Sequence, residues 1–180
     1  GGKAAAYAKS VEAGELPREQ VDKEKERVLA PTKRDNGIEW KELHNGICRV
    51  MQYFVSEYKN ETMFNMALEE LKRIEENAVP QLYALDPHKL MRSIEDLSIL
   101  EHAKIVINAM KERRFTNPQL GIERLDYPEN DEEDSKYYLA LHLEDDEIKF
   151  ERVPIRYWGN MKEQYEAHNP DYTGVYKLEN

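Results

Sequence analysis

The chain has 180 residues, with 26 Lys+Arg against 36 Asp+Glu and a formal net charge of −10. An acidic total argues against a nucleic-acid binder, because neutralising phosphates supplies much of that affinity. No run of about 18 apolar residues occurs, so we predict no membrane insertion. The single cysteine, Cys48, excludes an internal disulfide and favours a reducing, cytoplasmic compartment.

The acidity is concentrated in one part of the chain. Residues 126–147 carry ten acidic side chains and one basic side chain, whereas residues 1–34 have a net charge of +2. We therefore predict three regions: a helical arm over 1–34, a helical bundle over 35–125, and an acidic linker with a hairpin and tail over 126–180.

The arm contains two predicted helices. Residues 3–13 are rich in alanine and are followed by Gly14, a residue that commonly stops a helix. Pro17 is placed to open a second, almost entirely polar helix that ends near Leu29. Residues 31–37 contain proline and glycine and predict a break.

Three amphipathic helices form the predicted bundle. Apolar residues recur at three- and four-residue steps from Leu43 to Tyr58, again after the N-cap Asn60, and a third time from the N-cap Asp86 to about Arg113. Pro80 is expected to kink or end the second helix. Short connections imply antiparallel neighbours in an up-down-up order. The third helix is apolar around much of its circumference, so we expect it to be central or to face something outside this chain.

The residues after the bundle have a different pattern. Residues 137–143 and 147–153 alternate between apolar and polar, and Asp145 and Asp146 lie between them, which predicts a β-hairpin. A short helix is predicted over 158–168. The expected fold is mainly α: an up-down-up three-helix bundle with an amino-terminal helical arm and a carboxy-terminal extension that contains a β-hairpin.

The sequence shows no catalytic constellation. We find no nucleophile motif, phosphate-binding loop, dinucleotide fingerprint or metal-ligand spacing, and the five histidines lie on separate elements. Cys48 lies among apolar helix residues, so we expect a small hydrophobe at a helix interface. For the acidic run 131–134 we favour a solvated face or a partner patch over Ca²⁺ binding. No catalytic, cofactor-binding or metal residue is predicted.

One charged loop follows the third helix. Arg113 and Arg114 end that helix, where positive charge favours the helix dipole. Arg124, Asp126, Tyr127 and Pro128 follow within the next 14 residues. We expect Arg124 to pair with a carboxylate, either Asp126 or one in the acidic run, and to hold the loop against the bundle.

These last residues carry a family resemblance. The stretch from Leu100 to Met110, then Arg114, then Arg124, Asp126, Tyr127 and Pro128, resembles the carboxy-terminal part of a flavoprotein family. That family contains the flavoprotein subunits of succinate dehydrogenase and fumarate reductase, L-aspartate oxidase and the adenylylsulfate reductase alpha subunit. Many members carry Glu-Ser-Arg-Gly-x-His where residues 115–122 have Phe-Thr-Asn-Pro-Gln-Leu-Gly-Ile. This departure favours an adenylylsulfate-reductase-like or uncharacterised member.

The resemblance implies a division of labour. Family members bind FAD in an amino-terminal domain, so FAD is expected in a full-length parent and not in this chain. We expect an excised carboxy-terminal fragment, with Gly1 and Gly2 partly a cloning remnant. Its partners would be the FAD-binding domain of the same polypeptide and an iron–sulfur electron-transfer subunit. Two alternatives stay open: a free-standing helical interaction module that uses the acidic patch, and an independent small enzyme.

Overall fold

A computed structural model of the chain describes residues 1–12, 14–15, 17–118, 121–129, 136–144, 147–155 and 159–168. The helices within these residues are α1 (Gly2–Ser10), α2 (Arg18–Leu29), α3 (Trp40–Phe54), α4 (Glu61–Asn77), α5 (Pro87–Glu112) and α6 (Met161–His168). The strands are β1 (Tyr58–Lys59), β2 (Glu123–Arg124), β3 (Tyr137–Glu144) and β4 (Glu147–Pro154). The predicted mainly α fold, with its arm, bundle and hairpin, is confirmed.

Helices α3, α4 and α5 pack against one another as an up-down-up bundle. Trp40 and His44 of α3 meet Arg92 and Asp96 of α5 in the same order, so these two helices run in the same direction. Pairs between α4 and α5 run in the opposite order, from Glu75–Lys104 to Asn65–Lys111. The bundle buries one apolar core, which includes Leu43, Ile47, Val50, Phe64, Ala67, Leu71, Leu82, Leu100, Ala103 and Ile107.

The helix starts follow the local chemistry of the sequence. Asn60 accepts a hydrogen bond from the Met63 amide at 2.8 Å, and Asp86 accepts one from the Lys89 amide at 2.8 Å, so both predicted N-caps are confirmed. Helix α4 ends at Asn77 and a short 3₁₀ turn, Val79–Gln81, carries Pro80. The proline ring cannot continue the α-helical hydrogen bonding, which explains why the helix stops there.

The two helices of the arm lie outside the core. Neither α1 nor α2 has a buried residue. Helix α1 ends at Ser10, earlier than predicted, because Val11 is already extended. A 3₁₀ turn, Ala30–Lys33, attaches the arm to the bundle: Pro31 is buried, and Arg34 donates a hydrogen bond to the Leu82 carbonyl at 2.9 Å.

The hairpin lies after the bundle. Strands β3 and β4 pair antiparallel over all eight residues, with Leu141 opposite Phe150. Because facing residues share a face, Leu139, Leu141, Leu143, Ile148 and Phe150 all project from the same side of this two-stranded sheet. The predicted turn at 145–146, the acidic run 131–134 and Trp158 lie outside the described residues.

One expectation about a helix surface needs correction. Cys48 is exposed and not at a helix interface, because it follows Ile47 and so points about 100° away from the core-facing side of α3. Helix α5 buries Ser93 and Asp96 toward the bundle, while several of its apolar side chains remain exposed: Met91, Ile99, Ile105 and Val106. No helix of the described residues is long and apolar enough to cross a membrane.

Candidate functional site

Within the described residues, the most highly connected polar site lies where α5 ends and α4 begins, and we call it the Arg124 clamp. It consists of Arg124, Asp126, Glu61 and Thr116, the aromatic residues Phe64 and Tyr127, and the last carbonyls of α5. Two short strands bring these residues together: β1 and β2 pair in parallel with Lys59 opposite Arg124. The Leu125 amide then donates to the Lys59 carbonyl at 2.8 Å. This pairing sets the loop after α5 against the start of α4.

The Arg124 guanidinium is completely buried and its hydrogen bonds are directed to named acceptors. Its Nε and Nη2 donate to the two oxygens of Asp126 at 2.8 and 2.7 Å, a bidentate pair. Its Nη1 donates to the carbonyls of Met110 and Arg113 at 3.0 Å and contacts that of Lys111 at 3.3 Å. The last carbonyls of a helix have no partner within the helix, so Arg124 satisfies them and neutralises the negative end of α5.

Asp126 connects the same ion pair to the start of α4. Its Oδ2 accepts a hydrogen bond from the Glu61 amide at 2.9 Å, at the first position of the helix. The hydrogen bonds from Arg124 lower the pKa of the Asp126 carboxyl to about 2, assisted by the Glu61 amide and opposed by burial. One ion pair therefore complements the positive end of α4 and the negative end of α5.

Aromatic rings and a hydroxyl group complete the clamp. The rings of Phe64 and Tyr127 each lie 5.0 Å from the Arg124 guanidinium carbon, within cation–π distance. The Thr116 hydroxyl accepts from the Arg124 amide at 2.9 Å and donates to the Tyr127 carbonyl at 2.8 Å. Because the remaining Nη2 hydrogen points to Glu61 Oε2 at 3.5 Å, all five donors of Arg124 face acceptors of the chain itself. The clamp therefore organises the fold and keeps no donor for an external ligand.

The clamp includes some of the residues of the predicted motif. Arg124, Asp126 and Tyr127 come together, and the expected pairing of Arg124 with Asp126 is observed. Arg114 and Pro128 are exposed. After the end of α5, the carbonyl that accepts a hydrogen bond from Arg124 is that of Arg113. Sequence reasoning missed three clamp residues: Glu61, Phe64 and Thr116. The N-cap at residue 60 places Glu61 at the first helical position, but no local signal indicates which loop reaches it.

The β1–α4 junction does not have the form of a dinucleotide cradle. A dinucleotide cradle needs a strand that leads through a glycine-rich turn into a helix whose amino terminus is open to phosphate. At this junction strand β1 leads into α4 through Asn60 alone, without a glycine-rich turn. The amino terminus of that helix is already filled by the side chains of Asn60 and Asp126. Among the described residues, no group of three or more metal-ligating side chains comes together either.

The fold of the described residues is also found as a part of longer proteins of known structure. The chain is similar to adenylylsulfate reductase from the hyperthermophilic Archaeoglobus fulgidus, with a TM-score of 0.73 and 24% identity over 82% of this chain and 26% of that one. It is also similar to the apo Sdh1 complex of Mycobacterium smegmatis, with a TM-score of 0.67 and 19% identity over 86% of this chain and 27% of that one. Quinol fumarate reductase FrdA from E. coli matches with a TM-score of 0.67 and 16% identity over 87% and 28% of the two chains.

These similarities concern the fold. The chain spans about a quarter of the length of the solved structures that it matches. No protein-family sequence profile and no curated protein matches it by sequence. The sequence resemblance implied this architecture, and the structure has it. The solved structures that share it are proteins of the kinds that the resemblance named.

Proposed function

We propose that this chain is a non-catalytic helical domain of an FAD-dependent oxidoreductase of the adenylylsulfate reductase and fumarate reductase type. In this role it packs on the FAD-binding domain of the same polypeptide. The observation that carries the proposal is the shared fold with a part, and not the whole, of such enzymes. The clamp supports it, because the most connected polar site in the described residues is used up internally.

Exposed apolar side chains support a surface for this packing. Helix α5 leaves Met91, Ile99 and Val106 exposed on one side, and α2 leaves Val21 and Leu29 exposed. Surfaces of this kind mark contacts with other proteins or domains when they are contiguous. We propose that α5 packs on the FAD-binding domain, and that an iron–sulfur electron-transfer subunit is the second partner of the domain.

A binding measurement with surface variants tests the packing. The chain is mixed with the separately expressed FAD-binding domain of its parent enzyme, and association is followed by calorimetry. We expect binding by the wild-type chain and a loss of at least tenfold in affinity for Ile99→Glu, since a charge would be buried in an apolar contact. The matched control is Gln52→Glu, at an exposed polar position of α3, which should bind like the wild type.

Two results would contradict the proposal. Equal binding by both variants would remove α5 from the interface. Stoichiometric flavin retained by the purified chain alone, seen as visible flavin absorbance, would show that the cofactor site lies within these residues. The iron–sulfur partner is tested separately. The complete flavoprotein carrying either substitution is purified, and the amount of iron–sulfur subunit that co-purifies with it is compared.

A further inference from the structure

The hairpin of β3 and β4 has two edges, one along the outer side of each strand. Among the described residues these strands form a sheet of two, and no third strand joins them. A hairpin of only two strands is marginally stable in water, and a third strand or a packing partner normally completes it. An unpaired edge also presents a row of backbone donors and acceptors to which another chain can bond.

The register of the hairpin determines which backbone groups point outward. The Ile155 amide donates to the Lys136 carbonyl at 2.9 Å, so these two residues form a hydrogen-bonded pair that continues the β3–β4 ladder. Along an antiparallel ladder such pairs alternate with pairs whose amides and carbonyls point away from the partner strand. The backbone groups on the outer edge of β3 therefore include those of Leu139, Leu141 and Leu143.

The two edges differ in how much charge they carry. Strand β3 has one side chain with a formal charge, Glu144. Strand β4 has four among its eight residues: Glu147, Lys149, Glu151 and Arg152. Charged side chains on an edge strand discourage a further strand from pairing with it. The edge of β4 is protected in this way, and the edge of β3 is the one that can accept another strand.

The charge near β3 selects the chemistry of the incoming strand. Glu144 and Glu147 lie directly opposite each other at the end of the hairpin, where like charges destabilise the pairing. The sequence is acidic on both sides of β3, in residues 126–134 and 144–147. A second copy of the chain would therefore bring like charges together, whichever way its own β3 ran. A strand with basic ends is complementary instead.

We propose that the outer edge of β3 receives an extended segment of a partner protein as a third strand, and that this segment has alternating apolar residues between basic ends. Its backbone pairs with Leu139, Leu141 and Leu143, which supplies affinity, and its side chains supply specificity. Apolar residues opposite these leucines extend the apolar face of the hairpin, because facing residues share a face. The inference goes beyond the packing of α5 and does not rest on it.

A synthetic peptide is the probe for this edge. Fluorescein-labelled Lys-Lys-Val-Thr-Val-Thr-Val-Lys-Lys, with blocked ends, is titrated with the full chain, and binding is followed by fluorescence anisotropy. We expect saturable binding of one peptide per chain. The same peptide with glutamate in place of every lysine should bind at least tenfold more weakly. A lysine peptide N-methylated at its valines should also lose at least tenfold, because in the more stable antiparallel arrangement those amides donate to β3.

Two proline substitutions distinguish the two edges. Leu143 and Ile148 lie opposite each other, so their amides point to opposite edges of the hairpin and neither belongs to the ladder between the strands. Proline is tolerated at such edge positions but cannot donate to an added strand. Leu143→Pro should weaken binding of the lysine peptide at least tenfold, whereas Ile148→Pro, the matched control, should bind like the wild type. Leu143→Ala separates the loss of the side chain from the loss of the amide and should bind more tightly than Leu143→Pro.

Several results would overturn the proposal. Equal binding of the lysine and glutamate peptides would remove the charge argument, and equal binding of the N-methylated peptide would remove the backbone pairing. Equal effects of Leu143→Pro and Ile148→Pro would remove the assignment to β3. A wild-type dimer that Leu143→Pro dissociates would assign the edge to a second copy. Tighter peptide binding after deletion of residues 169–180 would assign it to the chain's own carboxy terminus.

The peptide comparison does not depend on how the variants fold. It uses the wild-type chain, so it remains decisive if either proline disturbs the hairpin. Amide hydrogen exchange of the β3–β4 ladder shows whether the hairpin is retained in Leu143→Pro and Ile148→Pro, and helical circular dichroism reports on the bundle.

Discussion

Replacing Arg124 with alanine is the most informative perturbation of this fold. The substitution removes the bidentate pair with Asp126, the donor to the carbonyls of Met110 and Arg113, and the cation packed against Phe64. Breaking a buried ion pair by removing one partner costs about 3–5 kcal/mol, because the other partner loses its compensation. Asp126 retains 27% side-chain exposure and is partly hydrated after the change. We therefore expect a loss near the lower limit, about 3 kcal/mol.

The measurement is denaturation by a chemical denaturant and by heat, each monitored by circular dichroism. For a chain of this size a loss of about 3 kcal/mol corresponds to a melting temperature lower by roughly 6–12 °C. Arg124→Lys should lie between alanine and the wild type, since an ammonium keeps the charge but not the planar, bidentate contact.

A surface arginine provides the matched control. Arg73 pairs with Glu70 one turn away on α4, and its side chain is 72% exposed. Exposed pairs contribute about 0–1 kcal/mol, so Arg73→Ala should change stability little. If Arg124→Ala were no more destabilising than Arg73→Ala, the reasoning that the clamp joins α4 to α5 would be refuted.

Three further measurements test the same description. The pKa of Asp126 is lowered from 3.8 to about 2, so the stabilisation by its charged form is present above pH 4 and is lost as the pH falls toward 2. Asp126→Asn should remove about 1–2 kcal/mol of this acid-dependent stability, a magnitude that allows for screening by solvent. Unfolding curves at several pH values measure the loss. Gly37→Ala should destabilise the protein markedly, because φ of Gly37 is +146° and a Cβ would lie 2.1 Å from the Gln81 carbonyl oxygen. Gly46→Ala, within α3 and with no neighbouring atom closer than 3.5 Å, should stabilise the protein by about 0.5–1 kcal/mol. The opposite order of the two melting temperatures would contradict this reasoning. Asn60→Ala should cost about 0.5–2 kcal/mol through loss of the α4 cap, and an unchanged denaturation midpoint would show that the cap is dispensable.

The periodicity of apolar residues predicted where the helices lie in the chain, but it did not predict which of their sides other helices bury. The apolar spacing around Leu43 and Leu71 predicted α3 and α4 correctly, because a helix that buries one face repeats its apolar residues at three- and four-residue steps. Cys48 was wrongly assigned to an interface, because its apolar neighbours did not reveal which side of α3 faces α5. The sequence showed an excess of apolar residues in α5. It did not show whether these residues are buried within the bundle or exposed.

The clamp shows where sequence information ends. Asp126 lies two residues from Arg124 and was one of the two predicted partners, beside the acidic run; the structure shows the pair with Asp126. Glu61 is 63 residues from Arg124, and it enters the clamp through the two-residue strands β1 and β2, which are too short to produce an alternating pattern. The same holds for His44 and Asp96, which meet because α3 and α5 run in parallel.

The amino-acid sequence by itself determined the helices, the N-caps Asn60 and Asp86, the hairpin and the charge distribution, because each depends on interactions between residues close together in the chain. The tertiary structure decided which polar groups were removed from water together: Arg124 with the carbonyls that end α5, and Asp96 with His44. A buried charge is stabilised by whichever partners the packing of the helices places within hydrogen-bond distance, and that packing is a property of the whole bundle.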